Sequence, residues 1–259
     1  MNKKLLNWKR IDLAGHLAKE DDPKITEFRK KIILQKGFLR KLYLDNYMIF
    51  KKVKDEIGDG KYVEIGSGGG FIKDVIPQVV TSDVLPVSSA DMHFDVRDMP
   101  FEDESINAFF MMYVFHHMKN VYRFFEETHR CLKKGGRIVM IEPTNNLWGS
   151  FVFRHVHHEN YDTQAGWIMD SDAPLSGSNA ALPWIVFGRD RKKFETEINC
   201  FKIRSIQFHT PFRYLVSGGV TAPQFLPTFS YGVVKLLEDI LSPCHKWIGM
   251  FWTIELEKI

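Results

Sequence analysis

The sequence predicts an α/β fold, and its ordered strand and turn signals carry the prediction. An apolar run, Lys61-Tyr62-Val63-Glu64-Ile65, leads into Gly66-Ser67-Gly68-Gly69-Gly70, and a helix start is expected at Phe71-Ile72-Lys73-Asp74. A second run, Val79-Val80-Thr81-Ser82-Asp83, closes on an acid, and Ala108 to Val114 reads as a later strand. Strand, glycine turn and helix start in that order form one α/β unit. A glycine turn lets backbone approach a ligand closely, because glycine has no Cβ. The N–H groups of a helix start suit a negative group such as a carboxylate. The turn carries no Lys-Ser/Thr pair, so it is not a phosphate-binding P-loop. It also fails the dinucleotide pattern, which counted from Gly66 needs glycine where Phe71 stands.

What remains is Glu-x-Gly-x-Gly-x-Gly at Glu64, Gly66, Gly68 and Gly70. It resembles motif I of the class I S-adenosylmethionine (SAM) dependent methyltransferases, and four later segments agree in order. Asp83 matches the acid that binds the ribose hydroxyls; a carboxylate can accept two hydrogen bonds from a diol. Phe94-Asp95-Val96-Arg97-Asp98-Met99-Pro100-Phe101-Glu102-Asp103-Glu104-Ser105-Ile106-Asn107 resembles D-x-x-x-L-P-F-x-D-x-S-F-D, with Met99 and Asn107 as mild departures. Phe115-His116-His117-Met118 is similar to the family's L-H-H, and Arg130 to Pro143 resembles its helix, turn and fifth strand. The resemblance is to the type 11, ubiquinone/menaquinone-biosynthesis-like group. It implies a Rossmann-like seven-stranded methyltransferase sheet, mostly parallel, with the last two strands as an antiparallel addition. It also implies SAM as cofactor, held by Glu64, Gly66, Ser67, Gly68, Gly70, Asp83, Asp95, Val96 and Tyr113, with Asp95 at the adenine amino group. Taken singly, each feature has a plainer role: an ordinary turn, a helix cap at Asp83, a surface carboxylate at Asp95.

Composition bounds the rest. A chain of 259 residues can bury a sizeable core. A formal net charge of +3 is too small to imply nucleic-acid binding. Cys131, Cys200 and Cys244 are widely spaced and make no metal or disulfide pattern. The first ten residues have no apolar core for a signal peptide, and no run reaches the roughly 20 apolar residues that span a bilayer. A cytoplasmic setting is expected, with peripheral membrane contact left open.

Residues 1–59 read as N-terminal helices, with apolar spacing at Phe28, Ile32 and Ile33 and at Leu39, Leu42 and Tyr43. Residues 60–259 read as the catalytic domain. The link from Asp83 to Asp95, holding Pro86, Ser88 and Ser89, is too short for more than a turn. Two insertions, 144–188 and 210–249, follow the fifth and sixth strands and are expected to form a cap; segments this long are usually functional or mobile. Arg189 to Asn199 reads as a charged helix, Phe201 to Phe208 as an alternating strand, Tyr231 to Leu241 as an apolar helix and Phe251 to Glu257 as the last strand.

Methyl transfer to a hydroxyl gains from a base near neutral pKa, and histidine is the common choice. His116 and His117 follow the fourth strand; His157 and His158 open the first insertion with Glu159 and Tyr161, which are expected on the acceptor side. One of His116 and His117 has an alternative role capping or packing the next helix. The run His155 to Glu159 could bind a metal or be a solvated loop, and no metal is expected. Glu142 supports the site or merely ends its strand. Phe212, Tyr214, Phe225, Phe229 and Trp247 line an acceptor site or are plain core. The expected acceptor is a small molecule, sugar or lipid-linked glycan methylated on oxygen. Arg154 to Glu159 and Tyr214 to Gly219 look like methyltransferases of surface-polysaccharide assembly. A quinone or lipid methyltransferase is the second reading, and a non-catalytic SAM-binding protein the third.

Overall fold

The computed structural model describes residues 22–157, 159–169 and 177–259. Its elements run α1 (Pro23–Gln35), α2 (Gly37–Ile57), β1 (Tyr62–Ile65), β2 (Val80–Asp83), β3 (Met92–His93), β4 (Ile106–Met112), α3 (Val121–Cys131), β5 (Leu132–Pro143) and α4 (Leu147–His155). They continue with α5 (Leu182–Trp184), α6 (Arg191–Glu197), β6 (Phe201–His209), α7 (Arg213–Ser217), α8 (Tyr231–Ile240), α9 (His245–Ile248) and β7 (Phe251–Lys258). The part of the N-terminal segment before residue 22 lies outside the described residues.

The seven strands form one sheet in the order β3-β2-β1-β4-β5-β7-β6. Strand order reverses between β1 and β4, so the crevice at their carboxyl ends is where such a sheet takes a ligand. Strands β1, β2, β3, β4 and β5 pair parallel. The expectation that both final strands oppose the rest is corrected: β7 alone does. It pairs antiparallel with β5 on one side and β6 on the other, so β6 runs with β5. The long segment between β5 and β6 makes this possible, because strands of one direction need a crossover.

Burial on both faces explains the continuous apolar strands. Along β4, Phe109 and Met111 enter one core with Phe124, Phe125 and Phe187, while Ala108, Phe110 and Met112 enter the other with Phe50 and Tyr62. Helix α2 buries Leu39, Leu42, Asn46, Phe50 and Val53, the spacing of one helical face. Helix α1 starts at Pro23, whose missing N–H costs nothing there, and the Asp22 side chain accepts from the Lys24 N–H at 2.9 Å.

The link after Asp83 carries no helix, as its length implied. The helix expected at Phe71 is corrected to a single 3₁₀ turn, Ile72–Asp74. Pro77 explains the stop: it lacks a donor and disfavours helix for the residue before it. The glycine loop therefore has no α-helix end behind it.

Phe110 is fully buried, with its ring centroid 5.0 Å from Phe50 and 5.9 Å from Tyr62. Phe110→Ala is expected to cost about 3–5 kcal/mol through lost transfer energy and a cavity. Phe28, partly exposed on α1, should cost within about 0.5 kcal/mol when replaced by Ala. Urea unfolding midpoints check both, and equal losses would put the core elsewhere.

Candidate active site

A cavity of about 320 Å³ opens at the carboxyl ends of β1 and β4. Its size lies in the range of small-molecule sites. One end is the glycine loop. Gly66 has φ of 68° and Gly68 has φ of 39°, left-handed values that favour glycine. A Cβ on Gly66 would fall 2.6 Å from a Val114 methyl carbon. Ser67 ties the loop to β2: its N–H donates to the Ser82 carbonyl at 2.8 Å, and its hydroxyl oxygen accepts from the Ser82 N–H at 3.2 Å.

Asp83 ends β2 with its carboxylate on the cavity wall. It accepts from the Gly68 N–H and the Leu85 N–H, each at 2.9 Å, so it braces the loop that it faces. Burial pushes its carboxyl above the usual range, against the pull of those two bonds. Asp95 and Val96 also line the cavity. Both Asp95 oxygens are held by Arg97 in its own loop, with the closest approach 2.7 Å. Those bonds hold Asp95 below the usual carboxylate range. Tyr113 carries φ of 63°, rare for a residue with a side chain, and its hydroxyl accepts from the Asn46 amide at 3.0 Å. Backbone strain of this kind clusters at functional sites.

Glu64 is buried, and burial pushes its carboxyl up to about 7. Its Oε2 has no hydrogen-bond partner among the described residues, and neither has the buried Nε of Arg29. Both residues line the cavity. Buried polar atoms are almost always bonded, so two such orphans lining one cavity mark a place for a ligand. The Tyr43 hydroxyl is within electrostatic reach of both.

The other end is a chain of ionisable groups. Glu142, at the end of β5, is fully buried. It accepts from the N–H groups of Val114 at 2.7 Å and Phe115 at 2.6 Å, and from His116 Nδ1 at 2.7 Å. His116 Nε2 then meets Glu159 Oε2 at 3.3 Å, and His157 Nδ1 lies 3.9 Å from the same oxygen. Burial alone would lower the His116 pKa, but the charges of Glu142 and Glu159 outweigh it and raise it to about 10. Glu159 is held well below its usual range: burial opposes, and His116 dominates. His116 is thus a cation at neutral pH and has no site for a further proton.

Of the histidines read from sequence, His116, His117 and His157 all line the cavity. His158 lies outside the described residues. Glu159 lines the cavity, whereas Tyr161 is not among the lining residues: it stacks behind Phe153 and bonds to Asn145 at 2.8 Å. The ligand atoms of His116, His117 and Glu159 come within 4.8 Å of one another, a set that could take a metal ion only if His116 gave up its proton. Sequence reasoning did not mark Arg29, Tyr43 and Tyr47 from the N-terminal helices, or Phe251 from β7, all of which line the cavity. Their signal was helical or strand periodicity, which reports burial and not the neighbour across the gap. Tyr214 lines the cavity as one of the two readings had it, while Phe225, Phe229 and Trp247 are neither lining nor core but exposed.

Residues 63–140 match the family described as the methyltransferase domain. No curated protein matches the chain. Among solved structures, the fold resembles geranyl diphosphate C-methyltransferase from Streptomyces coelicolor A3(2), crystallised with Mg²⁺, geranyl diphosphate and S-adenosyl-L-homocysteine. Identity is 16%, the match covers 92% of this chain and 88% of that one, and the TM-score is 0.51. It also resembles a SAM-dependent methyltransferase from Thermotoga maritima, a possible histamine N-methyltransferase, at 14% identity over 84% of this chain and 89% of that one, with a TM-score of 0.50. At these identities the likeness is one of fold. Residues 63–140 thus match a methyltransferase domain, and the chain as a whole has the fold of solved SAM-dependent methyltransferases.

Proposed function

We propose that the chain binds SAM in this cavity and transfers its methyl group to an oxygen of a small molecule, sugar or lipid-linked glycan. The observation that carries the reading is the pair of buried, unpartnered atoms, Arg29 Nε and Glu64 Oε2, beside the glycine loop. The methionine end of SAM carries a carboxylate and an ammonium, and these two groups suit it. Asp83 suits the ribose diol, and Val96 and Tyr113 suit the walls of the nucleoside. Asp95 can reach an adenine amino group only with oxygens already committed to Arg97. Bound there, SAM supplies a sulfonium-bound methyl group that is already electrophilic.

The chain's own work is to hold the acceptor in line and remove its proton. His116 is unsuited to be the base, because both of its ring nitrogens already face carboxylates, Glu142 at 2.7 Å and Glu159 at 3.3 Å. We assign the base to His157, whose Nδ1 accepts from the Glu159 backbone N–H at 3.5 Å and lies 3.9 Å from the Glu159 carboxylate, with His117 also lining the cavity. His116 keeps Glu159 in place. The two insertions, 144–188 and 210–249, act as a cap, since His157, Glu159 and Tyr214 reach the cavity from them. Support for an oxygen acceptor is this histidine–carboxylate pair on the acceptor side.

Calorimetric titration tests the cofactor half. Asp83→Ala should weaken SAM binding by roughly one to two orders of magnitude, the equivalent of about 1.5–3 kcal/mol for a charge-assisted bond. Gly68→Val, forced to a left-handed backbone, and Arg29→Met should lose affinity while the fold is kept. Unchanged affinity in all three folded variants would sink the assignment.

Release of S-adenosylhomocysteine with hydroxylated acceptors tests the catalytic half. His157→Ala should lower turnover by about 10²–10⁴-fold with SAM affinity intact. Full activity there and a loss in His117→Ala would move the base to His117. No release with any acceptor class would favour a SAM-binding partner protein.

The His116 ion pairs also predict a pH dependence of stability. A histidine raised from 6.5 to about 10 contributes stability that is full below 6.5 and is lost as pH rises through about 10. Unfolding curves from pH 6 to 10 should fall more steeply for the wild type than for His116→Gln, and parallel curves would show that the pair contributes nothing.

A further inference from the structure

Helix α8 is inside out. Val233, Leu236, Leu237 and Ile240 follow the i, i+3, i+4, i+7 spacing that ordinarily faces a core. Here all four point outward and are 53–66% exposed. The inward side carries Tyr231 and Val234 against the core and a buried acid: Glu238, 1% exposed, accepts from the Phe212 and Arg213 N–H groups at 2.7 Å each and from the Arg213 guanidinium. Arg213 and Lys235 both reach Asp45 on α2, at 2.6 and 2.8 Å. Those bonds decide which way the helix turns, and they leave its apolar stripe to solvent.

The stripe is part of a larger face. Phe229, one turn before α8, is 86% exposed, and Trp247 on α9 is 52% exposed. His245 Nε2 meets the Glu238 carbonyl at 2.9 Å, which ties α9 to α8, and the Asn146 amide donates to the Gly249 carbonyl at 2.6 Å, which ties α4 to α9. Helix α4 adds exposed Leu147 and Phe151, while its Phe153, on the other side, walls the cavity. Contiguous exposed apolar surface of this kind marks an interaction site.

Charge selects the occupant. Between residues 213 and 250 the carboxylates are Glu238 and Asp239, and Glu238 is buried against Arg213; between 144 and 157 there are none. Exposed Lys246 sits beside Trp247, and exposed Lys41 lies over the Tyr231 ring at the start of α8. An outward stripe with aromatic residues and a basic rim is the pattern of an interfacial helix that lies in the headgroup region. We propose that α8, α9 and the outer face of α4 dock on an anionic lipid bilayer. The surface stands apart from the SAM reading. Only its consequence, that a lipid-linked acceptor would enter beside α4, rests on the proposed function.

The test uses the full chain with vesicles of phosphatidylcholine alone and of phosphatidylcholine with phosphatidylglycerol. Sedimentation should carry the protein down with the anionic vesicles, less so at high salt. The double variant Leu236→Glu/Leu237→Glu should bind at least about tenfold more weakly, since it removes two inserted side chains and adds repulsion. Lys246→Glu should weaken binding to the anionic vesicles selectively. SAM titration without vesicles should be unchanged in both, which separates loss of docking from loss of fold or of the cofactor site. Wild-type protein that stays in the supernatant with both vesicles overturns the proposal. So does a wild-type dimer that the double variant converts to monomer, because the occupant is then a second copy.

Discussion

The site hangs on one buried carboxylate. Glu142 has no exposure, and three donors converge on it: the Val114 and Phe115 N–H groups and the His116 ring. Such a group is costly to bury alone and is tolerated because it is fully bonded. Its bonds shape the chain as it leaves β4, just after the strained Tyr113, and aim His116 at Glu159. The end of β5 thereby sets the geometry of the segment after β4 and, through it, of the segment after α4. Removing Glu142 would leave the Val114 and Phe115 N–H groups without an acceptor and His116 with Glu159 as its one carboxylate partner.

The cavity is a joint product of chain segments far apart in sequence. Helices α1 and α2 bring Arg29, Tyr43 and Tyr47; the loop after β1 brings the glycines, the end of β2 brings Asp83, the segment after β4 brings His116 and His117, and the segment after α4 brings His157. The β5–β7 register sets Phe251 opposite Pro143 and so brings a ring from the far end of the chain to the same wall. This wall is aromatic: Phe251 lies 4.9 Å from Tyr113 and 5.1 Å from Tyr214, centroid to centroid. An apolar, aromatic chamber with ionisable groups at its two ends strengthens each charge within it, since the local dielectric is low.

Helix α8 shows the same principle at the surface. A buried Glu238–Arg213 pair with three further contacts outweighs the pull of four aliphatic side chains toward the interior. The hydrophobic effect is non-directional and scales with area, whereas a buried ion pair tolerates one orientation only. The outcome is an apolar face that the fold itself does not use.

Much of the core was legible from order and residue type. The apolar runs at Tyr62, Val80 and Ala108 are strands because they are buried on both faces, and Glu64, Gly66, Gly68 and Asp83, which the resemblance grouped together, all line one cavity. The short link after Asp83 was legible from length alone. Other features were decided by tertiary contacts. Pro77 stopped a helix that the glycine loop alone would announce. Tyr161 and His157 are equally polar and close in sequence, yet only His157 reaches the cavity, because Phe153 stands between it and Tyr161. Tyr43 read as part of a helical apolar face, and nothing local tells that Tyr43 on α2 and Arg29 on α1 line the same cavity as Glu64. The segment of α8 read as an apolar helix. Periodicity reports which residues share a face, but the direction of that face is set by partners elsewhere in the chain, here Arg213 and Asp45.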